Sequence, residues 1–156
     1  NVLGFHVDAM QLATMNARLQ AILAVDSSAE HRLAVWLQGD DCAAARAALQ
    51  ATLPLPKRYR HWLQLIADYG DSIRHWPELD GEARWSLFKA CGSLRAEGDV
   101  LTLARLMQTD AALVDAIKNA REAVQALVFD DLAKQYHGMA LGQAIREMQA
   151  TLLRKG

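Results

Sequence analysis

The sequence has little of what punctuates or staples a chain: two cysteines, three prolines and nine glycines in 156 residues. So few cysteines exclude a disulfide-built scaffold. Cys42 and Cys91 therefore read as two reduced thiols of a cytoplasmic protein. The low proline and glycine content excludes collagen-like and low-complexity chains. Charged or amide side chains interrupt every apolar stretch before the roughly 18–20 residues of a membrane span, so no membrane partner is expected. Neither sign of charge is in excess, since 17 Lys and Arg face 18 Asp and Glu for a formal net charge of −1. Any binding of nucleic acid must then come from a local patch, not a global field. The opening Asn1-Val2-Leu3-Gly4-Phe5-His6 lacks the basic-then-apolar order of a signal peptide. It also lacks a methionine, which points to a processed chain or a piece of a longer one.

What is present is 52% hydrophobic residues and 22% charged ones, dominated by good helix formers. Val, Ile and Thr never alternate with polar residues for long, so the fold class is all-α, an irregular bundle of about eight helices. A chain of this length buries roughly 68–70% of its unfolded surface and needs no metal to fold. Asp8 is expected to cap a first helix to about Val25, with Met10, Ala13, Ala17 and Ala21 along one side. Gly39 stops a second helix over about 29–37, and Asp40 caps an Ala-rich third. Pro54 and Pro56 precede a fourth helix from about Lys57, with Trp62, Leu65, Ile66 and Tyr69 as its buried stripe and Gly70 as its end or a break. Asp80 and Asp110 cap the fifth and seventh helices, Gly92 and Gly98 bracket the turn before a sixth over about 100–107, and Gly138 precedes a last helix over about 141–153. With no repeat and no linker-like segment, residues 1–156 read as a single helical domain whose weakest seam is Thr52 to Pro56.

Catalytic signatures are sparse. His6, His31, His61, His75 and His137 stand apart and form no metal-ligand spacing, so no metal site is expected. Asp40-Asp41 and Asp130-Asp131 fall at helix starts, where capping and the helix dipole account for them. The one concentrated feature is Lys57-Arg58-Tyr59-Arg60-His61-Trp62. Cations at a helix N-terminus oppose the dipole and gain nothing structurally, whereas they can face a phosphate backbone, with Tyr59 available for stacking. Lys57, Arg58, Tyr59 and Arg60 are therefore the candidate RNA-binding residues. Arg74, Arg84, Lys89 and Arg95 could extend the patch, diluted by Asp68, Asp71, Glu78, Asp80 and Glu82.

The stretch from Pro56 through Ala111, with Lys57 to Tyr69, Trp85-Ser86-Leu87-Phe88 and Thr109-Asp110-Ala111 in order, resembles the helical C-terminal region of bacterial class II tRNA nucleotidyltransferases, the CCA-adding enzymes and their poly(A) polymerase relatives. The segment FDDLAKQYHGMALGQAIREMQATLLRKG, with Gly138 and Gly142 at the positions of a Gly-x-x-x-Gly loop, resembles that family's closing helix. The resemblance runs from Pro54 onward, and residues 1–53 are only loosely similar to a His-Asp phosphohydrolase domain found in some members. Its opening histidine would be His6. Its His-Asp pair would fall near Trp36-Leu37-Gln38-Gly39, which lacks both, so no hydrolase activity is expected; a degenerate metal site would need His6, His31 and two carboxylates to converge.

The resemblance implies a tRNA-binding body and tail that positions the acceptor arm for an N-terminal nucleotidyltransferase head, the second expected partner. The family's head carries Gly-Ser followed by Asp-x-Asp and uses Mg with ATP and CTP. Here Gly92-Ser93 precedes Leu94-Arg95 and no Asp-x-Asp occurs, so this chain holds no cofactor of its own and is expected to be inactive alone. A helical protein–protein interaction module without enzymatic activity is the alternative.

Overall fold

A computed structural model of the protein describes residues 8–24, 28–96 and 98–155. Among these residues there are nine α-helices and no strand, so the chain is all-α, with nine helices where about eight were expected. They are α1 (Ala9–Ile22), α2 (Ala29–Trp36), α3 (Ala43–Thr52), α4 (Lys57–Arg74), α5 (Gly81–Ala90), α6 (Val100–Leu106), α7 (Ala111–Gln125), α8 (Asp130–Gln135) and α9 (Gly138–Lys155). Short 3-10 turns occupy Asp40–Cys42 and Trp76–Glu78. The helices group into two compact units. The first is Asn1–Asp71 with Arg105–Gln108; the second is Ser72–Ala104 with Thr109–Gly156. The Thr52–Pro56 seam is a connection inside the first unit.

In the first unit Asp8 caps α1 as expected, in a reciprocal capping box: its carboxylate accepts from Gln11 N–H at 2.7 Å and the Gln11 amide oxygen accepts from Asp8 N–H at 3.1 Å. The buried face of α1 is a correction. Met15 and Ile22 point inward, while Met10 is 79% exposed and Ala13, Ala17 and Ala21 are exposed too. Larger side chains remove more apolar area from water, so the Met15–Ile22 side won over the small-residue stripe. The core continues through Ala34, Val35, Leu37, Leu49, Trp62, Leu63, Leu65 and Ile66.

The end of α2 is held by two arginines. Arg18 donates to the Gln38 carbonyl and pairs with Asp41 at 3.3 Å, and Arg46 Nη1 donates to the carbonyls of Leu37 at 2.6 Å and Gly39 at 2.5 Å. Cations thus satisfy the Leu37 and Gln38 carbonyls at the helix end, and Arg46 joins the Cys42 N–H on that of Gly39. Gly39, at φ 92°, provides the turn. Asp40 does not cap α3: the chain first makes the 3-10 turn Asp40–Cys42, with no side-chain cap. Gly70 neither ends nor breaks α4, which runs on to Arg74. A Cβ there would lie 2.9 Å from the Met107 sulfur, so its smallness serves close packing.

In the second unit Asp80 and Asp110 cap α5 and α7 through Ala83 N–H at 2.8 Å and Leu113 N–H at 2.7 Å, as expected. Gly92, at φ 68°, closes α5 in a Schellman motif, with Gly92 N–H to Lys89 C=O at 3.0 Å and Ser93 N–H to Phe88 C=O at 2.8 Å. Trp76 stacks on Phe88 with centroids 5.3 Å apart, and Leu87, Val100, Leu103, Ile117, Val124, Ala150 and Leu153 complete the core. Asp130 and Asp131 stand in the first turn of α8, which has no side-chain cap, and Asp131 pairs with Lys134 at 2.9 Å. Cys42 and Cys91 are free and buried; burial, with the Asp99 charge, pushes the Cys91 thiol up to about 12.

Helices α5 and α9 pack at Gly81. A Cβ on Gly81 would fall on the Ala150 carbonyl oxygen and within 3.0 Å of its carbon, both backbone atoms that cannot swing aside. A Cβ on Gly142 of α9 meets nothing within 4 Å. Gly81→Ala is therefore expected to destabilise by roughly 1–3 kcal/mol and Gly142→Ala to stabilise by about 0.5–1 kcal/mol, measured as denaturant unfolding of the two variants.

Candidate functional site

Basic side chains gather in two places, one in each unit. The first is the start of α4, where the leading amides have no partner inside the helix and Pro56 carries no N–H of its own. Lys57, Arg58 and Arg60 are exposed there, Tyr59 and His61 are half-buried, and Trp62 is fully buried. The helical period explains the split: Trp62, Leu65 and Ile66 face the core while the cations lie on the outer side. His31 meets the Trp62 ring edge-on with centroids 4.2 Å apart, and His61 does so at 5.8 Å.

Arg58 is not an isolated cation. Its Nε lies 2.6 Å from Glu30 Oε1, with the arginine side chain 69% exposed and the glutamate only 12%. Glu30 sits in the first turn of α2, and its carboxyl is held below the ordinary range by a hydrogen bond from its own backbone N–H, with the Arg58 charge adding, against the opposing effect of burial. Sequence reasoning missed this pair because its partners lie on different helices and nothing local marks it.

The expected extensions of the patch divide. Arg74, Lys89 and Arg95 are exposed, all three in the second unit. Arg84 is a correction: it is 5% exposed, lies 4.7 Å over the Trp76 ring, and donates to the carbonyls of Trp76 at 3.3 Å and Leu153 at 2.5 Å. Burial lowers its pKa, and its hydrogen bonds knit the Trp76–Glu78 turn to the end of α9. It belongs to the core because only its long stem and planar fork reach both carbonyls from α5.

The second place is a cavity of about 360 Å³ in the second unit, between α5, the Gly92–Arg95 turn and α9. Trp85, Lys89, Leu94, Arg95, Ile145, Arg146 and Gln149 contribute its side chains, with Gly92 and Gly142 at the backbone. Trp85 is the centrepiece. Lys89 Nζ lies 5.1 Å and the Arg146 guanidinium 4.6 Å from its ring centroid, and its indole N–H donates to Gln149 Oε1 at 2.9 Å. Outside the cavity lining, Glu82 Oε2 accepts from Arg146 Nε at 3.1 Å and Nη2 at 2.6 Å. Lys89 and Arg95 stood out as charges in the sequence. Trp85, Arg146 and Gln149 did not, because the bonds that give them meaning span 64 residues.

Gly138, at φ 56°, makes the turn into α9, while Gly142 lies within that helix and not in a Gly-x-x-x-Gly loop, and a Cβ there would meet nothing within 4 Å. His31 stands against Trp62, and His6 lies outside the described residues. Among the described residues no group of three or more His, Cys, Asp or Glu is placed to hold a metal, and no helix is long and apolar enough to cross a membrane. Comparison with family models, curated proteins and solved structures finds no match for this chain.

Because Glu30 has a lowered pKa in the folded state, its contribution to stability is present above its unfolded value, near 4.5, and is lost as pH falls through the folded value. Glu30→Gln is therefore expected to lower stability modestly above about pH 5, where the carboxylate is ionised in both states, and to converge with the parent as pH falls below the folded value of Glu30, measured by denaturant unfolding across pH.

Proposed function

We propose that this chain contacts tRNA as the helical body-and-tail portion of a tRNA nucleotidyltransferase, positioning the acceptor arm for a catalytic head absent from this chain. One observation carries the reading: the first turn of α4 directs Lys57, Arg58 and Arg60 to solvent, where the helix dipole disfavours cations and an external anion favours them. Tyr59, half-buried beside them, offers an aromatic edge for a base or sugar.

In this reading the chain does no chemistry. Lys57 and Arg60 contact phosphates directly, and Arg58, whose own side chain is 69% exposed, exchanges the Glu30 carboxylate for a phosphate, leaving Glu30 to the hydrogen bond from its own backbone N–H. Phosphate contacts set register and orientation, not sequence preference.

A second reading, a helical protein-interaction module without enzymatic activity, is favoured by one surface: Val128 is 73% and Met139 89% exposed around α8, which buries none of its own residues.

Titration of tRNA at about 50 and 200 mM salt separates the two. Salt-sensitive binding is expected, and the triple variant Lys57→Ala, Arg58→Ala, Arg60→Ala should lower the slope of log K against log salt by about three, roughly one for each cation removed. An unchanged slope in that variant sinks the assignment of the patch, and no tRNA binding at low salt shifts the conclusion to the interaction module.

A further inference from the structure

We infer that the cavity beside Trp85 is a binding site for a nucleoside monophosphate group, supplied either as a free nucleotide or as a phosphate-bearing end of an RNA strand. The inference starts from the sign of its lining. All three ionisable side chains that line it, Lys89, Arg95 and Arg146, are cations, in a chain whose net charge is −1. Gln149 is buried, and the indole N–H of Trp85 can only donate, so the amide oxygen must turn toward it and the amide NH2 is the group left over. Among the described residues, the charged and amide side chains of the lining, Lys89, Arg95, Arg146 and Gln149, each have a hydrogen-bond donor to offer and none brings a carboxylate, the Glu82 carboxylate being engaged by Arg146 outside the lining. Such a set is matched by a ligand that is all acceptor and negatively charged, as a phosphate is.

Two of the cations are also preorganised. Lys89 and Arg146 are both drawn to the Trp85 ring, and Glu82 holds Arg146 by two of its nitrogens, so little side-chain freedom is left to lose on binding. Size and polarity argue against a bare phosphate. About 360 Å³ lies in the range of small-molecule sites, and Leu94 and Ile145 give it an apolar wall that a base can cover. Gly142 leaves the α9 side open, since a side chain there would meet only empty space.

This inference does not depend on the patch at Lys57, and the two fail separately: one is read from the salt slope of tRNA binding, the other from a resonance at Trp85. The experiment follows the indole N–H signals of the four tryptophans by NMR, with Trp85 assigned through Trp85→Phe, while AMP, adenosine, inorganic phosphate and a 5′-phosphorylated RNA oligonucleotide are each titrated into the full chain. AMP is expected to shift the Trp85 signal saturably, with adenosine and inorganic phosphate each about tenfold weaker. Lys89→Glu with Arg95→Glu, both exposed positions, should abolish the AMP response in a chain that circular dichroism shows to be still helical and folded. Gly142→Leu should weaken it by filling the open side. Tighter binding of the oligonucleotide than of AMP identifies the RNA end as source, and the reverse identifies the free nucleotide; either supports the site. Equal responses to AMP and adenosine, equal responses to AMP and inorganic phosphate, no response to AMP, or a response that survives the double charge reversal would each overturn it.

Discussion

How closely α5 approaches α9 governs most of the second unit. Only a glycine at position 81 lets the two backbones come within the reach of a methyl group, and the contact fixes what lies one and two turns further along each helix. On α5, Trp85 and Lys89 follow Gly81 at four-residue steps; on α9, Gly142, Arg146 and Ala150 do the same. Trp85 therefore meets Gln149 and Arg146 from the facing helix, and Glu82 meets Arg146. The cavity is what remains where Gly142 supplies no side chain to fill the space.

The basic residues show how little a net charge near zero says about function. Arg18, Arg46 and Arg84 direct their guanidinium groups at main-chain carbonyls and are structural. Lys57 and Arg60 at the start of α4, and Lys89 and Arg95 beside the cavity, are exposed. Composition treats these as one class; only the location of each carbonyl and carboxylate divides them. The division matters energetically, because an arginine bonded to buried carbonyls leaves them without partners when removed, whereas an exposed lysine costs little to change.

Local chemistry was legible in the sequence and distant chemistry was not. Asp8, Asp80 and Asp110 announce their helices because a cap acts on amides two or three residues away, and Gly92 announces a stop for the same reason. Asp40 misled because the same signal opens a 3-10 turn, and Gly70 misled because a glycine that admits a neighbour looks, in sequence, like one that ends a helix. The α1 face misled because spacing alone does not weigh Met15 and Ile22 against a row of alanines. At the site level, the cations of α4 were visible as a run. The Glu30–Arg58 pair and the Trp85 cluster are products of tertiary folding, with no local trace.

The arginines at the end of α2 tie together pieces that are far apart in the chain. Arg18 comes from α1 and Arg46 from α3, and their acceptors are three consecutive carbonyls, Leu37, Gln38 and Gly39. The turn between α2 and α3 is thus clamped from both sides, and releasing either helix exposes carbonyls that the other cannot cover alone. Local opening of α1 and local opening of α3 thus act on the same turn, each withdrawing a guanidinium from it, which links their fraying through the end of α2.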